Sequence, residues 1–128
     1  MSSKFTFTLD RDYGLVRIGL HGFWTLRDVD AFFNARRKAH AALGLPPNAH
    51  MTLTDVRGMK IQAQHVIESF QKQLAVPEEK ARKLAIVVDA VMARCQASRA
   101  INSVDTRYFT EVEAAEEWLF AGERREAA

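Results

Sequence analysis

Cysteine is almost absent from the chain. Cys95 stands alone, so no internal disulfide can form, and a reducing compartment is expected. Nowhere does an apolar stretch approach the ~20 residues that a membrane-crossing helix needs. The opening Met1-Ser2-Ser3-Lys4-Phe5-Thr6 lacks the apolar core of a secretory signal. Charge of one sign is lacking too. A formal net charge of +2 is too small for the concentrated basic face that nucleic acid demands. No G-x-S-x-G elbow, P-loop or dinucleotide fingerprint occurs. His21, His40, His50 and His65 share no i, i+4 ligand spacing, so neither a metal nor a cofactor is expected. Internal repeats and low-complexity segments are missing as well.

What is there suits an ordinary globular chain of 128 residues, 48% hydrophobic and 27% charged. The expectation is one cytoplasmic domain over residues 1–122, with 123–128 as a frayed tail. The longest apolar run is Leu84-Ala85-Ile86-Val87-Val88, which ends at Asp89. It is too short for a helix, rich in β-branched residues and without alternation, the signature of a strand covered on both faces.

The rest reads as packing around that strand. Phe5–Leu9 alternates strictly and predicts a half-exposed edge strand. Asp10–Gly14 is a turn cluster, and Leu15–Leu20 completes an antiparallel hairpin. His21-Gly22-Phe23-Trp24 leaves the sheet. Thr25 with Asp28 forms a capping box that opens a helix, and Trp24 and Val29 occupy the positions of a hydrophobic staple. Val29, Phe32, Phe33, Ala39, His40 and Leu43 give the buried stripe, with Arg36, Arg37 and Lys38 mostly opposite. Gly44 ends this helix.

Ala49–Thr54 is a third strand, closed by Asp55, and Val56–Lys60 reads as a loop. Ile61, Ala63, Val66, Ile67, Phe70 and Leu74 then mark one face of a second helix. After Asp89, the segment Val91–Ser103 reads as a helix with a weak stripe of small residues. Thr106–Phe109 is a short last strand. Thr110 and Glu113 make a second capping box, opening a helix with Val112, Ala115, Trp118 and Leu119 inward and Glu116 and Glu117 outward. The fold class is therefore α/β: a mostly parallel five-stranded sheet with an N-terminal antiparallel hairpin and four helices.

Four stretches in this order carry a family resemblance. They are the hairpin leading into Gly22-Phe23-Trp24-Thr25, the strand ending Thr54-Asp55-Val56-Arg57-Gly58, the strand Lys83–Val88, and Tyr108–Leu119. Together they resemble the STAS domain, and most closely its SpoIIAA-like subgroup. The resemblance implies a cytoplasmic binding or interaction module. Regulatory members of that family carry Asp-Ser-Ser/Thr-Gly where their second helix begins, and the serine is phosphorylated. Here that stretch is Met59-Lys60-Ile61-Gln62-Ala63-Gln64. It has no hydroxyl, so the charge switch that phosphate supplies is missing.

Asp55 and Asp89 fall at the C-terminal ends of strands expected side by side, the edge where open α/β sheets bind ligands. The residues expected to meet a ligand or partner are Asp55, Arg57, Gly58, Asp89, Arg94 and Arg99. Catalysis is not expected. The alternative is a small enzyme using Asp55 and Asp89 as a proton-transfer pair. The plainer reading has Asp89 capping the next helix and Asp55 tying down its own loop. The expected partner is a second protein, or a small anionic or lipid ligand met near Val91–Ser103. Peripheral membrane contact and a homodimer are further alternatives.

Overall fold

The computed structural model describes residues 4–60, 62–74, 76–89 and 105–122. Strand β1 (Phe5–Asp10) and strand β2 (Leu15–Gly22) form the expected antiparallel hairpin, with Phe7 opposite Ile18. The Asp10 carboxylate accepts the Asp12 backbone N–H at 3.1 Å and tightens the turn between them. Helix α1 (Leu26–Leu43) starts where the sequence placed it. Thr25 is its N-cap, with both arms of the box to Asp28 formed. Gly44 closes the helix in the left-handed region at φ 68°.

The next strand differs from expectation. Strand β3 runs Met51–Met59, so Val56–Met59 is not a loop. Beyond a register shift at Gly19/His21, β3 pairs again with β2, His21 against Gly58 and Gly22 against Met59. Pairing overrides the loop-like composition of Arg57-Gly58. Gly58 is required by this close approach: a Cβ there would stand 2.9 Å from the His21 Cβ.

Helix α2 (Gln64–Leu74) buries only Val66 fully, while Ile67 and Leu74 of its predicted face are exposed. A 3-10 turn (Pro77–Glu79) leads to strand β4 (Lys83–Val87); strand β5 (Thr106–Phe109) and helix α3 (Val112–Phe120) follow. The sheet order is β1-β2-β3-β4-β5, parallel from β2 onward. Three α-helices lie among the described residues, not four. The helix expected over Val91–Ser103 lies outside them. No helix among the described residues is long and apolar enough to cross a membrane.

Two cores result, one on each face of the sheet. On the first, Val16, Ile18 and Leu20 pack beneath Trp24, Val29, Phe32, Phe33 and Val66. On the second, Leu15, Met51, Leu53, Ala85 and Val87 meet Ala115 and Leu119 of α3. Ala85 and Val87 of β4 are buried there, while Leu84 and Ile86 on its other face are half-buried. The continuous apolar run is thus less enclosed among the described residues than it suggested.

Three side chains correct the expected pattern. Arg36 is 8% exposed, with its guanidinium 5.3 Å from the Phe33 ring centroid and Nη2 donating to the Glu79 carbonyl at 2.8 Å. Its aliphatic stem covers apolar surface while the head finds a carbonyl. Glu116 does not simply point outward: it pairs with Arg17 of β2. The N-cap of α3 is Glu111, not Thr110, and it has no side-chain hydrogen bond.

Candidate functional site

Parallel β2, β3 and β4 bring their C-terminal ends to one edge. Asp55 stands inside β3, opposite Val87 of β4. By alternation it shares a face with Met51 and Leu53. Its carboxylate accepts Arg57 Nε at 3.0 Å, Arg57 Nη2 at 2.7 Å and the Arg57 backbone N–H at 3.0 Å. The side-chain bond to Arg57 is the main reason Asp55 sits below the usual carboxylate range, and the same pairing raises Arg57. A carboxylate gripped by a bidentate fork holds its charge and has few lone pairs left for substrate.

Asp89 lies two residues past Val87, on the exposed side of the same edge. The two carboxylates share an end of the sheet but not a register step. Arg94 and Arg99 lie outside the described residues. Of the expected binding residues, Asp55 and Arg57 are brought together as a pair, and Gly58 has the packing role given above.

Sequence reasoning missed Gln62. Its Oε1 accepts the Trp24 backbone N–H at 2.9 Å. Its Nε2 donates to the carbonyls of Gly22 at 2.8 Å and Lys60 at 2.6 Å. One amide therefore latches the β2–α1 connection to the end of β3. The only signal in the sequence was the missing hydroxyl.

This latch displays Phe23, which is 65% exposed, beside Leu26 at 47%. Lys4 and Lys60 flank this connection. Lys4 Nζ donates to the Phe23 carbonyl and, at 2.9 Å, to Asp28. The Lys60 backbone N–H donates to Gly22 at 3.2 Å, leaving its exposed side chain at the same end.

A second polar centre, also missed, lies at the opposite end of the sheet, where β3 and β4 begin. The rings of His40 and His50 are 4.1 Å apart, and Glu79 binds His40 Nδ1. Both Nε2 atoms are buried without a hydrogen-bond partner. Burial, then the neighbouring His40 and Arg36, pushes His50 down to about 4. Burial also lowers His40, against the opposing pull of Glu79. A shallow pocket of about 120 Å³ adjoins, lined by Phe33, Arg36, Arg37, Gln73, Val76 and Glu79. It is small beside the ~300–1,000 Å³ of ordinary ligand sites. No set of three or more His, Cys, Asp or Glu among the described residues could hold a metal ion.

No protein-family profile matches the chain, and no curated protein matches it. Among solved structures it is similar to an uncharacterised protein of the DUF3478 family, with a SpoIIAA-like fold, from Shewanella loihica PV-4. The match has a TM-score of 0.70 and covers 93% of this chain and 98% of that one, at 16% sequence identity. The chain has a SpoIIAA-like fold. At that identity the likeness extends to architecture and no further.

Proposed function

We propose that this chain is a cytoplasmic, non-catalytic binding module that takes an anionic ligand, lipid head groups included, at the C-terminal end of its sheet. The observation that carries this reading is the Asp55–Arg57 pair. A proton-transfer enzyme needs a carboxylate with a poised affinity for protons and access to substrate. Asp55 is instead depressed and occupied by its own strand neighbour. The ligand class follows from the same end of the molecule, where Lys60 and exposed Phe23 and Leu26 combine positive charge with apolar surface. That mixture suits an anionic head group carrying an apolar body. The stretch Met59–Gln64, where the family resemblance implies a phosphorylated serine, has no hydroxyl, so the proposed module has no phosphate switch at that point.

Native mass spectrometry on freshly purified protein tests the reading. The expected spectrum shows a discrete anionic adduct on the wild type and on Asp89→Asn, lost in the Phe23→Ser/Lys60→Glu double variant. An adduct unaffected by that double variant, or no adduct together with no binding to phosphatidylserine vesicles, would overturn it. Catalytic turnover abolished by Asp55→Asn at an unchanged melting temperature would make the chain an enzyme.

A further inference from the structure

The two edges of the sheet are unlike. Strand β5 is four residues long and carries exposed Arg107, the usual means of blunting an edge. Strand β1 reads Phe5-Thr6-Phe7-Thr8-Leu9-Asp10, with neither lysine nor proline and no register shift against β2. Among the described residues its only strand partner in the sheet is β2. The His21 N–H donates to the Lys4 carbonyl at 3.0 Å, which sets the phase of the ladder. Antiparallel alternation then turns the backbone groups of Lys4, Thr6, Thr8 and Asp10 toward β2. Those of Phe5, Phe7 and Leu9 face away from the sheet.

We propose that β1 is a homodimer interface, pairing antiparallel with β1 of a second copy about a two-fold axis at Phe7. Three features of the strand select a second copy as the occupant. Its outward-facing residues pair completely with themselves, Phe7 on Phe7 and Phe5 on Leu9 of the partner. Thr6 falls opposite Thr8, a favourable cross-strand pair. Lys4 falls opposite Asp10, so no like charges meet at either end of the ribbon, while the Lys4 ammonium keeps its bond to Asp28. A two-fold axis normal to the sheet requires side chains directly opposite each other to share a face, and this register satisfies that requirement throughout.

The surroundings agree. Phe5, Phe7 and Leu9 are only partly buried at the rim of the first core, and a second copy would cover the aromatic edges left open. The flank of α1 beside β1 is marked by the Lys4–Asp28 contact at one end and by Arg11 Nη1 on the Ala42 carbonyl, 2.7 Å, at the other. Helical spacing from Asp28 puts Ala31 and Ala35 on that flank. Alanines there leave room for α1 of the second copy to pass alongside.

Sedimentation velocity from micromolar to millimolar protein, combined with residue-resolved amide exchange, tests the proposal. The wild type is expected to dimerise as concentration rises. The Phe5, Phe7 and Leu9 amides should gain protection in step, while those of Thr6 and Thr8 are protected throughout. Thr6→Lys/Thr8→Lys sets like charges opposite each other and should weaken the dimer on the order of tenfold or more. Thr6→Glu/Thr8→Glu should do the same, and mixing the two variants should restore a one-to-one dimer. A wild type that stays monomeric at millimolar concentration would sink the idea. So would a dimer unaffected by the lysine pair, or a mixture of folded variants, verified by circular dichroism, that fails to reassociate.

Discussion

His50 is buried at 5% exposure, facing a second imidazole and the guanidinium groups of Arg36 and Arg82. The Glu79 carboxylate near it is already engaged by His40. Adding a proton would place a further positive charge in that company without a fresh counter-charge. The unfolded chain takes up that proton as pH falls below about 6.5, and the folded chain resists until about 4. Stability therefore holds above pH 6.5 and is lost progressively between 6.5 and 4, by up to about 3 kcal/mol from this residue. His50→Gln cannot take the proton and should flatten the curve. Urea midpoints for both proteins across that range check it; parallel curves would show that His50 contributes nothing to acid lability. Neither His50 nor its partner was legible as a pair. His40 and His50 are ten positions apart in the chain, and the contact exists only because the end of α1 lies against the start of β3.

Helix starts show how far local sequence reaches. Thr25 and Asp28 form both bonds of their box, and Asp28 is held below its ordinary range chiefly by its bond to the Thr25 backbone. Thr110 and Glu113 have the better motif on paper, yet α3 takes Glu111 as its N-cap. The spacing is necessary for a capping box but does not choose the residue at which the chain turns. Thr25→Ala should therefore cost about 1 kcal/mol, within the usual range for a lost cap, and Thr110→Ala close to nothing. Thermal denaturation of the two single variants decides this, and equal losses would mean that the Thr110 hydroxyl caps in solution. The hairpin and the start of α1 were legible because apolar periodicity and turn residues agree there. The second half of β3 was not, since glycine and arginine in sequence signal a loop until β2 supplies backbone partners. The Asp55–Arg57 pair was hidden for the same reason: only an extended strand puts residues i and i+2 on one face. Gln62 was out of reach, because its carbonyl partner Gly22 lies forty residues away and leaves no mark on composition.

At the scale of the whole molecule, one sheet separates two unequal cores, and each core holds one tryptophan. Trp24 is 5% exposed among Phe5, Phe32 and Phe70 on the first face, with its indole N–H on the His21 carbonyl at 2.9 Å. Trp118 is half-buried on the second face against Phe109, with Lys83 and Arg107 over its ring. The strands between them are shared, since β2 supplies Val16, Ile18 and Leu20 to one core and Leu15 to the other. Neither face can lose its packing without exposing the backs of the same strands, so the domain should unfold as a single unit. Trp118→Phe leaves Trp24 to report on the first core, and Trp24→Phe leaves Trp118 to report on the second. In each variant the fluorescence transition in urea is expected to coincide with the far-ultraviolet circular dichroism transition. Adding Phe32→Ala on the first face should cost roughly 3–5 kcal/mol and move the Trp118 midpoint on the second face as well. A Trp118 transition that stays in place when Phe32 is truncated would mean that α3 and its core melt independently, and the sheet would then be a scaffold for two separable halves.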